Sequence, residues 1–395
     1  HAALLSKITS ILFYTRLGKL LTILVKKYKI LNRWYIIYLQ KEEKRMTPNP
    51  TNQKPARTMT HAFVTGATGL LGNNLVRALL KENIQVTALV RSEEKARKQF
   101  ADLPIQIVKG DILEPESYRD YLAGCDSLFH TAAFFRDNYK GGKHWQELYD
   151  TNIIGTNNLL EAAYEAGIRQ FVHTSSCVVL EGEANQLIDE SMSRSKDTPF
   201  DYYRSKILSE EAVRDFLDKH SDVFGCFILP SVMLGPRDLG PTSSGQLIIN
   251  FVEQKLPGIL KASYNMVDAR DVADIHLRAM KYGRSKERYL AVGRQVTMTE
   301  LYQILEKITG VPAPKRKISP LFVKIYAQAS ELYHRLTKKP ILVTNELAHL
   351  MAEEYLKSNF SFAKTESELG GQHRPLEESL ADVVDWYRKH GYFAK

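Results

Sequence analysis

Tyr202 and Lys206 stand four residues apart in the run Tyr202-Tyr203-Arg204-Ser205-Lys206. On a helix that spacing sets a phenol and an ammonium on one face. A phenol with its ordinary pKa of about 10 exchanges a proton poorly near neutrality, and a neighbouring cation lowers that value by favouring the phenolate. The pair therefore suits a proton donor for a carbonyl oxygen that is being reduced. Ser176, closing the run His173-Thr174-Ser175-Ser176, adds a hydroxyl that can stabilise charge developing on that oxygen. Tyr203 lacks the four-residue spacing to Lys206, and Ser175 is the weaker alternative to Ser176. A Tyr before an exposed Lys also arises by chance, so the pair needs a partner motif.

That motif is Thr65-Gly66-Ala67-Thr68-Gly69-Leu70-Leu71-Gly72. It follows a short apolar run, His61 to Thr65, and opens a stretch with apolar residues at helical spacing, Leu70 to Leu80. Glycines at a strand-to-helix turn form a phosphate cradle. Gly66 would allow the tight turn, Gly69 would admit a pyrophosphate to the backbone, and Gly72 would let the helix pack closely on the sheet. Thr68, Leu70 and Leu71 would complete the turn, whose N–H groups and helix dipole favour an anion.

Elements that position these residues are legible as alternation. Strand-like runs at His61–Thr65, Gln85–Val90, Ile105–Val108, Ser127–His130, Phe171–Thr174 and Phe224–Leu229 are separated by helical patterns. This predicts an α/β fold, a Rossmann-like doubly wound parallel sheet with helices on both faces. Ligands bind outside the carboxyl ends of such strands, where each motif falls. Beyond Leu229 the pattern loosens, with amphipathic helices at Met298–Ile308 and Leu376–His390. The expected organisation is an extension at 1–58, a cofactor-binding domain at 59–230, and a substrate lobe formed mainly by 231–395 with a contribution from about 180–201.

With these motifs in order, the chain resembles the extended short-chain dehydrogenase/reductases of the NAD-dependent epimerase/dehydratase superfamily, and within them the dihydroflavonol reductase-like branch. The resemblance covers about residues 61–395, through TGATGLLG, HTAA from His130, NIIGTNNLLEAA from Asn152, HTSS, YYRSK and LGPRD from Leu234. It implies that Asp111 and Ile112 meet the adenine and that Ala132 and Ala133 allow close passage of a dinucleotide. It further implies that Lys206 holds the nicotinamide ribose and Pro230 flanks the nicotinamide. Asn152 matches a position that organises its helix, and a homodimer is expected.

The residue after the second strand indicates which dinucleotide. Arg91 suits the 2′-phosphate of NADP, whereas NAD usually meets an acid there. Lys95 would assist, with Glu93 and Glu94 partly offsetting the field. The function expected is NADPH-dependent reduction of an aldehyde or ketone. Phe134, Phe135, Tyr139 and Trp145 offer an apolar wall for a hydrophobic or aromatic carbonyl substrate.

A nucleotide-sugar epimerase or dehydratase is the main alternative. Cys177 and Val178 stand where the dehydratase pattern has an acidic pair, and Leu229-Pro230-Ser231-Val232 replaces the Arg-Pro-x-Asn run common in sugar-nucleotide enzymes. A 3β-hydroxysteroid-type dehydrogenase and a non-catalytic cofactor sensor are further alternatives. Retention of Ser176, Tyr202 and Lys206 together counts against the sensor.

Charge separates the ends of the chain. Residues 1–60 hold twelve Lys or Arg and two Glu, so of the net +9 they account for +10, leaving −1 for 61–395. A nucleic-acid partner loses its support accordingly. The basic, aromatic-bearing leader has no stretch long enough to span a bilayer. It is expected to be a non-native extension, and membrane association is expected only if it is genuine. Cys125, Cys177 and Cys226 follow no metal or disulfide spacing and read as core residues at strands or strand ends. A reducing, cytoplasmic setting is expected, with no metal.

Overall fold

Ala62, Phe63 and Val64 are fully buried, so the strand they form must be covered on both faces. In the computed structural model, residues 56–135, 144–337 and 345–393 are described. Ten strands run β1 (His61–Thr65), β2 (Gln85–Val90), β3 (Gln106–Lys109), β4 (Ser127–His130), β5 (Gln170–Thr174), β6 (Phe224–Pro230), β7 (Val232–Leu234), β8 (Ser263–Asp268), β9 (Arg288–Ala291) and β10 (Arg294–Thr297) among these residues. Seven form a sheet of order β3-β2-β1-β4-β5-β6-β9, with every pairing parallel. The order reverses between β1 and β4, which places the switch-point crevice at their carboxyl ends.

The helices are α1 (Leu70–Lys81), α2 (Glu93–Phe100), α3 (Trp145–Tyr149), α4 (Gly155–Glu165), α5 (Asp201–Lys219), α6 (Ser243–Val252), α7 (Ala269–Tyr282), α8 (Met298–Thr309), α9 (Pro320–Thr337), α10 (Asn345–Glu353), α11 (Ala363–Leu369) and α12 (Leu376–Lys389). Successive strand residues alternate between two cores. Ala62, Val64, Val86, Ala88 and Phe129 pack with Leu75 and Leu79 of α1 and with Val272 and Ile275 of α7. Phe63, Leu89, Leu128, Phe171 and Phe227 face Leu159 and Leu160 of α4 and Val213 and Leu217 of α5. Burying one Leu or Phe is worth about 1.5–3 kcal/mol, so both faces contribute to fixing α1 and α5 on opposite sides of the sheet.

The expected strands recur, β3 shifted one residue along. The sequence pattern did not anticipate β9, nor the small sheet β10-β8-β7. That sheet shares a third core with α6, α8 and α12. The irregular stretch after residue 180 joins the segment following α10: Ile188 bridges Phe360, and Arg194 pairs with Glu354 at 3.1 Å. Among the described residues no helix is long and apolar enough to cross a membrane.

Candidate active site

The glycine turn is held by its backbone. Gly66 has φ of +67°, and a Cβ there would stand 2.7 Å from Ala132 N. Only glycine meets both conditions. A Cβ on Gly72 would lie 2.2 Å from Gly66 O, so this residue lets α1 seat on its own turn rather than directly on the sheet. Gly69 caps α1 with no side-chain hydrogen bond, and the first turn has no acid. The opening N–H groups are thus left for an anion, the arrangement a dinucleotide pyrophosphate needs. Behind the turn, Gln99 donates to Thr68 O at 3.2 Å and accepts from Asn73 at 3.0 Å. Leu70 and Leu71 are buried, so these two can offer only backbone.

Tyr202 and Lys206 share one face of α5. Lys206 is 3% exposed, and its Nζ donates to Thr174 O at 2.7 Å, tying the ammonium to the carboxyl end of β5. Burial pulls its pKa from 10.5 to about 8, with the Glu210 carboxylate acting in the opposite direction. The Phe135 ring meets Tyr202 edge-on at 4.9 Å. Ser175 donates to Glu210 at 2.5 Å, so that hydroxyl is committed to the interior. Ser176 instead opens a short 3-10 turn, where its Oγ accepts from Val178 N.

Asn152 links the parts. It sits in a π-helical turn, Asp150–Ile154, between α3 and α4. Its amide accepts from Phe134 N at 2.7 Å and donates to Phe134 O and Ser205 Oγ, each at 3.1 Å. Ser205 in turn donates to Tyr202 O at 2.8 Å. This is the organising role the resemblance implied.

Two histidines fill the floor. His130 bonds Thr65 at 2.8 Å and Thr156 at 2.9 Å, and burial, then Lys206, lowers its pKa to about 3. His173 is held well below its ordinary value, first by burial. Both are neutral structural groups near pH 7.

At the positions expected to meet the adenine, Asp111 accepts from Leu113 N at 3.0 Å. Ile112 is buried; a Cβ on Gly155 would stand 2.8 Å from its side chain. Ala132 N donates to Thr65 Oγ at 3.2 Å, while Ala133 is exposed. Arg91 is exposed just past β2. Glu93 is occupied by Arg97 at 2.5 Å, which reduces its offset of the field at Arg91. Pro230 ends β6, and the adjacent Ser231 Oγ is buried with no hydrogen-bond partner among the described residues. Of the expected apolar wall, Phe135 reaches Tyr202, the Phe134 ring meets His144 at 6.0 Å, and Trp145 lies under Arg204 at 4.7 Å. Tyr139 falls outside the described residues.

Sequence reasoning missed Glu210. It extends the Tyr202–Lys206 row by one more turn, is 1% exposed, and pairs with Arg288 of β9 at 2.7 Å. An i, i+4, i+8 row was the available signal. The loop at Leu234–Asp238 was also undervalued: Asn74 of α1 donates to Pro236 O at 3.1 Å and accepts from Arg237 at 3.2 Å. The strand placement of the cysteines needs correction, because Cys125 precedes β4 and Cys177 opens the 3-10 turn. All three are buried and unpaired, and burial pushes their pKa values up to about 11 or 12. A thiolate is disfavoured at each.

Comparisons with known proteins agree with this fold. The sequence model of the NAD dependent epimerase/dehydratase family matches residues 62–292. The chain belongs to that family, and its similarities place it with the dihydroflavonol reductase-like members of the extended short-chain dehydrogenase/reductases. A putative dihydroflavonol 4-reductase of Synechocystis sp. is 31% identical over 342 residues, 84% of this chain and 95% of that protein. Sterol demethylase protein B of Methylococcus capsulatus is 32% identical over 333 residues, 83% of this chain and 98% of that one. Among solved structures, a dTDP-glucose 4,6-dehydratase from Streptomyces venezuelae with NAD bound superposes with a TM-score of 0.67 at 21% identity, over 84% of this chain and 98% of that one. That last likeness concerns the fold alone.

Proposed function

We propose that the protein is an NADPH-dependent reductase of an aldehyde or ketone. The observation that supports this reading is the hydrogen bond of the buried Lys206 to Thr174 O at the carboxyl end of β5, two residues before Ser176 and from the same helix that carries Tyr202. The glycine turn and the N-terminus of α1 hold the pyrophosphate, and Arg91, with Lys95, receives the 2′-phosphate. When bound, the nicotinamide supplies the hydride. Tyr202 gives its phenolic proton to the carbonyl oxygen as charge develops there. Lys206 stabilises the phenolate left behind, and Ser176 donates a hydrogen bond to the same oxygen. Phe135, edge-on to Tyr202, forms the apolar side of the substrate site, consistent with a hydrophobic or aromatic carbonyl. The two-lobe division at residue 230, a cytoplasmic setting and a homodimer belong to the same reading.

The test is titration with NADPH and NADH, then a screen of aldehydes, ketones and nucleotide sugars followed at the nicotinamide absorbance. Preferential NADPH binding and net oxidation by a carbonyl are expected. Tyr202→Phe should lower turnover by about 10²–10⁴-fold while leaving NADPH affinity intact. Retained turnover would remove Tyr202 from the mechanism, and tightly held NAD with a sugar interconverted at no net redox change would place the protein with the epimerases.

A further inference from the structure

The helix α9 presents an apolar face that nothing among the described residues covers. Leu321, Phe322, Ile325, Tyr326, Leu332 and Leu336 are 49–77% exposed, and at 100° per residue they fall in one continuous stripe. The opposite side turns inward at Ala327, which is fully buried, and packs on α10. Soluble monomers rarely leave so large a contiguous apolar patch open.

Charge indicates the occupant. Residues 315–339 contain seven Lys or Arg and one Glu, a net of +6, in a region 61–395 whose net is −1; the rest of that region is therefore −7. Lys315, Arg316 and Lys317, just before α9, and Lys324 within it are all exposed. A second copy of this face would set the exposed Lys315, Arg316, Lys317 and Lys324 against an equal set of cations. A surface of anionic lipid headgroups neutralises the cations and takes up the apolar stripe at once. With Lys324 and Glu331 inside the helix, α9 suits lying in the interface rather than crossing it.

We propose that α9 docks the protein on an anionic membrane surface. Its partner α10 places His349 against Phe200 at 5.6 Å, two residues before Tyr202, so the docking face lies on the hairpin that adjoins the candidate site.

The experiment is co-sedimentation of the full chain with vesicles of phosphatidylcholine alone and with one-third phosphatidylglycerol. Binding is expected to the anionic vesicles and to weaken with salt. The exposed double substitution Leu321→Glu with Ile325→Glu should abolish it. Lys315→Gln and Arg316→Gln should weaken it about fivefold each. The thermal midpoint and NADPH affinity of the variants should stay at the parent values, which separates lost docking from lost folding. Absence of binding to anionic vesicles, or binding undiminished in the variants, would overturn the proposal. So would a dimer in sedimentation velocity that the Leu321→Glu and Ile325→Glu pair converts to monomer, since the stripe would then be a contact between copies.

Discussion

Replacing Glu210 by Gln tests whether the buried row on α5 sets the working range of the site. The carboxylate lies one helical turn beyond Lys206, accepts from Ser175 at 2.5 Å and pairs with Arg288 at 2.7 Å. Gln preserves size and the bond to Ser175 but removes the charge. Arg288 loses a buried partner, a change that typically costs about 3–5 kcal/mol. The Arg288 side chain is 16% exposed, so water offsets part of this and about 3 kcal/mol is expected. With an unfolding entropy of about 2.1 cal/mol/K per residue over the unit Lys54–Lys395, the midpoint should fall by about 4 °C.

The second effect is on Lys206, whose pKa burial has already lowered to about 8 while Glu210 holds it up. Lysine is charged below its pKa, so a reaction needing the ammonium beside Tyr202 declines as pH rises through about 8. Without Glu210 that decline should begin about one pH unit lower. Lys206 binds fewer protons folded than unfolded between about 8 and 10.5, so its contribution to stability increases with pH across that window. The assay is kcat/KM against pH, which reports groups of the free enzyme, for parent, Glu210→Gln and Lys206→Met, alongside thermal melts. An alkaline limb unmoved by Glu210→Gln, or one that persists in Lys206→Met, would refute the reasoning.

Three other substitutions probe separate parts of the site. Gly72→Ala gains about 1 kcal/mol of helix propensity, but its Cβ would stand 2.2 Å from a backbone carbonyl; the clash should win, with NADPH binding weakened at least tenfold by isothermal titration. Asn152→Ala removes the three side-chain hydrogen bonds to the Phe134 backbone and Ser205 Oγ, and a loss of about 1–3 kcal/mol in urea unfolding is expected, with a fall in kcat larger than any rise in the Kd of NADPH. Arg91→Asp should raise the Kd of NADPH by at least tenfold more than that of NADH, because a charge-assisted bond to phosphate is worth about 1.5–3 kcal/mol. Equal losses would show that Arg91 does not read the phosphate.

Local rules made much of this chain legible before its structure. The short apolar runs of β1, β2 and β4, buried over nearly their whole length, the glycine turn, and the Tyr202–Lys206 spacing are short-range properties, since strand and helix geometry places their side chains with no knowledge of the remainder. The positive φ at Gly66 and the packing need at Gly72 belong to the same class, because both are imposed within one turn.

Contacts between distant segments were not legible. Lys206 finds Thr174 O across 32 residues, Glu210 finds Arg288 across 78, and β9 returns to the main sheet between β8 and β10 of the small one. The burial that shifts Lys206, the commitment of the Ser175 hydroxyl to Glu210, and the face of α9 left uncovered among the described residues all arise from which surfaces meet when the layers close. Sequence spacing determined the chemical groups and their local faces; tertiary packing decided their environment, because desolvation and pairing depend on neighbours the chain supplies only once folded.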